Sequence, residues 1–234
     1  MGGKKLREVV KELIPQIKVG MTTNEIDVKA EELIRAKGAE PSFKRVKGYH
    51  WSTCLTVNEE IVHTPPSEKI LKNGDILTVD IGIYYKGFNT DFADTIGIGK
   101  IEEKSGLFLK TGKKTLISAI NKAKAGERLG SISDSIQKDI ESAGYSIVRE
   151  LTGHGVGRDL HEDPIVPGYL DRPLKKTLII KPGLVIAIEV IYAMGRGDMK
   201  DEANNWSIST VDKSLSACFE HTVAVTDTNT LILT

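Results

Sequence analysis

The sequence predicts an α+β domain built from two related halves, on three observations. Helix-period apolar spacing followed by strand-like runs occurs twice along the chain. Lys18-Val-Gly20, Ile26 and Gly38 return as Lys124-Ala-Gly126, Ile132 and Gly144, 106 positions on, while Gly74 and Asp80 return as Gly183 and Glu189, 109 positions on. Asp80 and Glu189 are also acids in the middle of apolar runs, Ile76 to Tyr84 and Leu184 to Tyr192, where an unpaired charge is costly. Two such acids at matching positions imply a cation held between the halves. No linker rich in Pro, Gly or Ser divides the chain, so residues 1–234 are expected to form one domain with halves of about 1–105 and 106–234.

The elements follow in order. Leu6, Val9, Val10, Leu13, Ile14 and Ile17 recur at helical spacing over about 4–18, and Gly20 ends that unit. Thr22-Thr-Asn-Glu25 fits a capping box that opens a second helix through Ile26, Ala30, Leu33 and Ile34 to Gly38. Strands are expected from Cys54 to Asn58, Asp75 to Tyr85 and Asn89 to Ile98, the last two joined by Lys86-Gly87. Helical spacing returns at about 106–124 and 131–143, and the remainder reads as strand and loop.

Composition narrows the function. Lys plus Arg and Asp plus Glu both total 32, so no global basic field is available to draw in nucleic acid or an anionic membrane. A local basic patch for docking on RNA is compatible with that balance. Two cysteines, Cys54 and Cys218, make no disulfide framework and fit a reducing compartment. The N-terminus lacks the apolar core of a signal peptide, and no apolar stretch is long enough to span a bilayer, so the expected location is the cytoplasm.

Asp91 follows Asp80 by eleven residues. If Lys86-Gly87 is a two-residue turn, position 82 faces 91, and both acids share a sheet face as diagonal neighbours about 7–8 Å apart at the backbone. A three-residue turn would put Asp91 on the opposite face. The stretch Thr152-Gly-His154-Gly-Val-Gly-Arg-Asp-Leu-His161 carries two of the five histidines in a glycine-rich loop, which suits close backbone approach at a site. Glu220 lies in the strand-like run Ser216 to Val225, and His221 next to it points to the other face, as a structural or supporting residue. Four carboxylates and one imidazole suit two divalent cations, and oxygen-rich ligation with one nitrogen fits Mn, Fe, Co or Zn. Such a pair activates water and polarises a carbonyl, so hydrolysis is the natural chemistry.

Asp80, Asp91, His154, Glu189 and Glu220, in that order and spacing, resemble the ligand set of type I methionine aminopeptidases of the pita-bread fold. The similarity includes Val57-Asn-Glu-Glu-Ile-Val-His63, Asn73-Gly-Asp-Ile, Gly153-His-Gly-Val-Gly, Pro182-Gly-Leu and Ser214-Leu-Ser-Ala, and runs over nearly the whole chain. The resemblance implies a pseudo-two-fold pair of α/β halves around a central antiparallel sheet. It implies two metal ions: Asp80 and Asp91 bind one, His154 and Glu189 complete the second site, and Asp91 and Glu220 bridge. By the same resemblance His161 stabilises the tetrahedral intermediate, His63 positions the substrate main chain, and Glu189 shuttles the proton. Tyr49, Cys54 and Trp206 match positions lining the methionine pocket, although plain core packing also accounts for them. The implied substrate is the N-terminal Met of nascent polypeptides with a small second residue, released by a monomer that docks transiently at the ribosome.

Thr64 after His63, His50 and Trp51 after Tyr49, and Leu160 before His161 depart from the family pattern, as does a start inside the family's first helix. These touch pocket shape and not the ligands. The alternatives are an Xaa-Pro aminopeptidase or prolidase, which shares the ligands, and a pita-bread protein that only binds partners. The 28 positions between His161 and Glu189 leave no room for the helical insertion of a type II methionine aminopeptidase.

Overall fold

Four helices pack on one central sheet in the computed structural model, which describes residues 1–234. Helix α1 (Gly2–Leu13) buries Leu6, Val9 and Leu13. It stops short of the expected end because Pro15 supplies no amide donor, and Ile14–Gln16 tighten into a 3-10 turn. Helix α2 (Thr23–Ala36) opens on a complete capping box: Glu25 N donates to Thr22 Oγ1 at 3.1 Å, and Thr22 N donates to Glu25 Oε2 at 2.7 Å. Helices α3 (Glu103–Ile120) and α4 (Gly130–Ser142) fall where the second run of helical spacing places them.

The nine-stranded sheet runs, in spatial order, through Glu162–Pro167, Thr152–Gly155, Val185–Ala193, Ser216–Val225, Phe92–Gly97, Ile76–Ile81 and Thr53–Val57. Every pairing along it is antiparallel, and Ser146–Ile147 and Thr230–Ile232 join from the sides. On one face, α1 and α2 close a core of Leu6, Ile26, Ile34, Leu55, Leu77 and Val79, and α3 and α4 close another around Phe108, Ile136, Ile188, Tyr192 and Phe219. The Tyr192 hydroxyl accepts from Gly112 N at 3.1 Å and donates to Phe108 O, the two groups that a regular turn of α3 would join directly.

Register decides what the other face carries. Cys54 pairs with Asp80, Asp80 with Ala93, Ala93 with Glu220, and Glu220 with Glu189. Directly paired residues project from the same face, so three acids and a thiol form one transverse row across five strands. Asp91 lies two residues before Ala93, and His154 pairs with Ala187, two residues before Glu189, so both belong beside this row.

Lys86 and Gly87 both have positive φ, 50° and 89°, as a two-residue type I′ turn requires. Tyr85 faces Phe88 and Ile83 faces Thr90. The same register continues to Asp80 and Ala93. The sequence suggested two unbroken strands here. Instead Ile76–Ile81 and Ile83–Tyr85 part at Gly82, and Phe88–Thr90 and Phe92–Gly97 part at Asp91. Beyond these points the outer segments leave the central sheet for a three-stranded one with Glu40–Pro41, Ser42 N donating to Gly82 O at 3.0 Å, and a Cβ at Gly82 would meet Phe43 and Ser42 at 3.0 Å and Asp91 Oδ1 at 3.1 Å.

His154 requires a second correction, since it lies on the strand Thr152–Gly155 and not in a loop. The flanking glycines serve strand packing. A Cβ at Gly153 would fall 2.4 Å from Ala187 O, and one at Gly155 the same distance from Asp163 O.

Candidate metal centre

Above the row lies a cavity of about 680 Å³ lined by Asp80, Asp91, His154, Glu189 and Glu220, with His63 and His161 among its other walls. Ligand atoms of Asp91, His154 and Glu220 lie within 4.8 Å of one another. Glu189 joins them through His154, whose Nε2 is 3.4 Å from Glu189 Oε1. Asp80 takes its place from the strand register, beside Ala93 and diagonal to Asp91.

These groups are poor company for one another without a cation. Burial, then the charges of Asp91 and Glu189, push the Asp80 carboxyl well up. Burial raises Glu189, with Asp91 adding to it, and raises Glu220, with Asp91, Glu189 and Asp80 adding. Burial also pushes Asp91 up to about 7, against the hydrogen bond that Phe92 N donates to its Oδ1 at 3.0 Å. No lysine or arginine lines the cavity to compensate. Glu220 Oε1 is buried with no hydrogen-bond partner.

His154 is prepared as a neutral ligand. Its Nδ1 lies 2.8 Å from Gly155 O, an acceptor only, so the proton sits on Nδ1 and Nε2 carries the lone pair. Burial lowers its pKa to about 4, which keeps the ring unprotonated. Oxygen donors, one free imidazole nitrogen and an unpartnered buried carboxylate oxygen fit divalent cations well.

His161 stands over this cluster, its ring 4.4 Å from that of His154, and it is exposed at the rim. His63, also exposed, has a φ of 60° and follows Ile61 and Val62 into the same cavity. His221 points away: its Nδ1 is 3.1 Å from Thr234 Oγ1 and its ring is 5.4 Å from Phe92, in keeping with a structural role.

At one end the cavity is aromatic. Phe43, Tyr49, Cys54 and Leu160 form a buried cluster flanked by Val46, Trp51 and Trp206. The Tyr49 ring meets Trp206 edge-on at 5.0 Å and Trp51 at 5.3 Å. Its hydroxyl donates to Thr53 O at 2.8 Å and lies 3.1 Å from Cys54 Sγ. Asp27 on α2 fixes this corner: its Oδ1 accepts from Ser52 N at 2.9 Å, Thr53 N at 2.8 Å and Thr53 Oγ1 at 2.7 Å. Tyr49, Cys54 and Trp206 are thus brought together at one end of the cavity. Thr56, Ile191 and Cys218 also line the cavity without having been marked by the sequence as site residues, although each lies two residues from Cys54, Glu189 or Glu220.

A family model described as metallopeptidase family M24 matches residues 2–227. "Methionine aminopeptidase 1" of Bacillus subtilis is 44% identical over 223 residues, covering 95% of this chain and 89% of that protein. The methionine aminopeptidase of Escherichia coli K12 is 33% identical and covers 100% of this chain and 89% of its own. Among solved structures, methionine aminopeptidase from Thermotoga maritima superposes with a TM-score of 0.96 at 35% identity, covering 99% of this chain and 93% of that one. A prolidase from Pyrococcus furiosus shares the fold, with a TM-score of 0.77 at 24% identity, and this chain spans 61% of it.

Proposed function

This chain belongs to metallopeptidase family M24, and on that footing we propose that it is a methionine aminopeptidase, hydrolysing the N-terminal Met from peptides with a small second residue. The observation that carries the site assignment is the row of acids, Glu220 buried and Asp80 and Glu189 partly buried, with a neutral imidazole beside it and no cationic side chain in the cavity. We assign Asp80, Asp91, His154, Glu189 and Glu220 as the residues that would hold two divalent ions drawn from Mn, Fe, Co and Zn, Asp91 and Glu220 being those that would serve both. When bound, such a pair supplies a water of lowered pKa and Lewis-acid polarisation of the scissile carbonyl.

The chain's own groups do the rest. The aromatic end holds the thioether side chain: Tyr49, Cys54 and Trp206 present an apolar, polarizable surface, and burial keeps the Cys54 thiol protonated. His63 orients the substrate main chain from the rim. His161 donates its ring N–H to the carbonyl oxygen as negative charge develops there, an interaction stronger in the transition state than in the ground state. Glu189 accepts the proton of the attacking water at a carboxylate oxygen and passes it to the leaving amine nitrogen.

One chain contributes all five ligands and both rim histidines, which supports action as a monomer. The repeat is supported by matched backbone at its glycines, with φ of 98° at Gly74 and 90° at Gly183. No helix is long and apolar enough to cross a membrane. We place the substrate on emerging polypeptides, with transient ribosome docking as part of that proposal. The test is metal analysis of purified protein together with release of Met from Met-Ala-Ser against an Xaa-Pro peptide. Metal-dependent release from Met-Ala-Ser is expected; no release with any of Mn, Co, Fe or Zn would refute the assignment.

A further inference from the structure

Thr222 sits where the sheet changes partners. The Glu220 strand pairs with Phe92–Gly97 only as far as His221 and Phe92. From Val223 onward its neighbour is Thr230–Ile232. One more step of the first register would set Thr222 against Asp91, but the Thr222 main chain is already turned to the C-terminal segment. Its N–H donates to Thr234 Oγ1 at 3.1 Å, and its carbonyl accepts from Leu233 N at 2.9 Å.

The side chain closes the gap instead. Thr222 Oγ1 accepts from Asp91 N at 2.8 Å and donates to Asp91 O at 2.8 Å, so one hydroxyl replaces both hydrogen bonds of a main-chain pair. Thr222 is fully buried and Asp91 nearly so, which leaves little opportunity for water to take over. Asp91 lies between two strands and not within one, so this clamp, with the Phe92 N–H on Oδ1, is what fixes its backbone and aims its carboxylate.

We propose that Thr222 is a positioning residue for the dinuclear centre, holding Asp91 at the angle from which its carboxylate is shared between two ions. This rests on the assignment of Asp91 as a bridging ligand. Groups that orient a ligand in this way typically change metal affinity about 10–100-fold when removed. Thr222→Val keeps the shape and deletes the hydroxyl; Thr222→Ser keeps the hydroxyl.

The experiment titrates Mn(II) into metal-free wild type, Thr222→Val and Thr222→Ser, reading stoichiometry and affinity by calorimetry and ion–ion coupling by electron paramagnetic resonance. Wild type is expected to take two ions and show an exchange-coupled signal. Thr222→Val is expected to bind the second ion about 10–100-fold more weakly and to show uncoupled Mn(II) under the same conditions, whereas Thr222→Ser restores both. The kcat of Thr222→Val for Met-Ala-Ser should fall while KM changes little, because the pocket for the thioether is untouched. A coupled pair of wild-type affinity in Thr222→Val would overturn the proposal. So would loss of coupling in Thr222→Ser, a readout that survives if the valine variant does not fold. A wild type that binds no coupled pair would defeat the bridging assignment itself, and is distinguished by failing before any variant is compared.

Discussion

Chelating the metals should give this protein an inverted pH dependence of stability. Burial holds Asp80, Glu189 and Glu220 protonated in the metal-free folded state well above the range where unfolded carboxyls ionise, and holds Asp91 up to about 7. Above pH 6.5 the unfolded chain carries none of these protons, so the folded state binds more and stability falls as pH rises. Each retained proton contributes about 1.4 kcal/mol per pH unit. At roughly 2–4 °C per kcal/mol for a chain of this size, Tm should drop by about 3–6 °C per pH unit for each proton retained. His154 and His221 act in the opposite sense, because burial lowers both to about 4 while unfolded histidines take protons below their ordinary 6.5. They offset part of the trend below pH 6.5, leaving the decline steepest between 6.5 and 8. Thermal melts followed by circular dichroism, with EDTA or with saturating Mn(II), provide the assay. The descending limb should vanish with Mn(II), since bound ions hold the carboxylates ionised. A metal-free Tm that stays flat or rises from pH 6.5 to 8 would refute the reasoning.

Other perturbations follow from single contacts. Gly112→Ala would put a Cβ 2.4 Å from two ring carbons of Phe219 and 2.6 Å from the Tyr192 hydroxyl. Overpacking of that kind costs about 1–3 kcal/mol, so a thermal melt should show Tm lowered by about 2–12 °C. Asp27→Ala would strand the buried N–H groups of Ser52 and Thr53, at about 1–3 kcal/mol each, and loosen the Thr53 carbonyl that orients Tyr49. Steady-state kinetics should then show KM for methionyl peptides rising more than kcat falls; an unchanged KM would separate Asp27 from the pocket. His161→Ala should lower turnover by about 100–1,000-fold with metal content intact, and joint loss of both would make His161 structural.

Much of this was legible because local rules and global fold agree. The capping box at Thr22 and Glu25, the turn at Lys86 and Gly87, and acids inside apolar strands each have a mechanism confined to a few residues. The breaks at Gly82 and Asp91 were not legible, since they mark a change of sheet to a partner strand, Glu40–Pro41, that is distant in sequence. Asp27 looked like any polar position on α2, and only the fold delivers the Ser52 and Thr53 amides to it. Thr222 was hidden more deeply: 131 residues separate it from Asp91, and its hydroxyl matters because the C-terminal segment occupies its main chain.

At the middle of the row, between Asp80 and Glu220, stands Ala93, a single methyl group. Vacancy at that point is as much a part of the centre as the acids flanking it. A leucine or phenylalanine there would leave all five donors in the sequence while crowding Asp80 and Glu220 on either side. Inspection of the donors alone would pass such a relative as intact, so the size of the side chain at position 93 belongs among the marks by which a functioning member of this family is recognised.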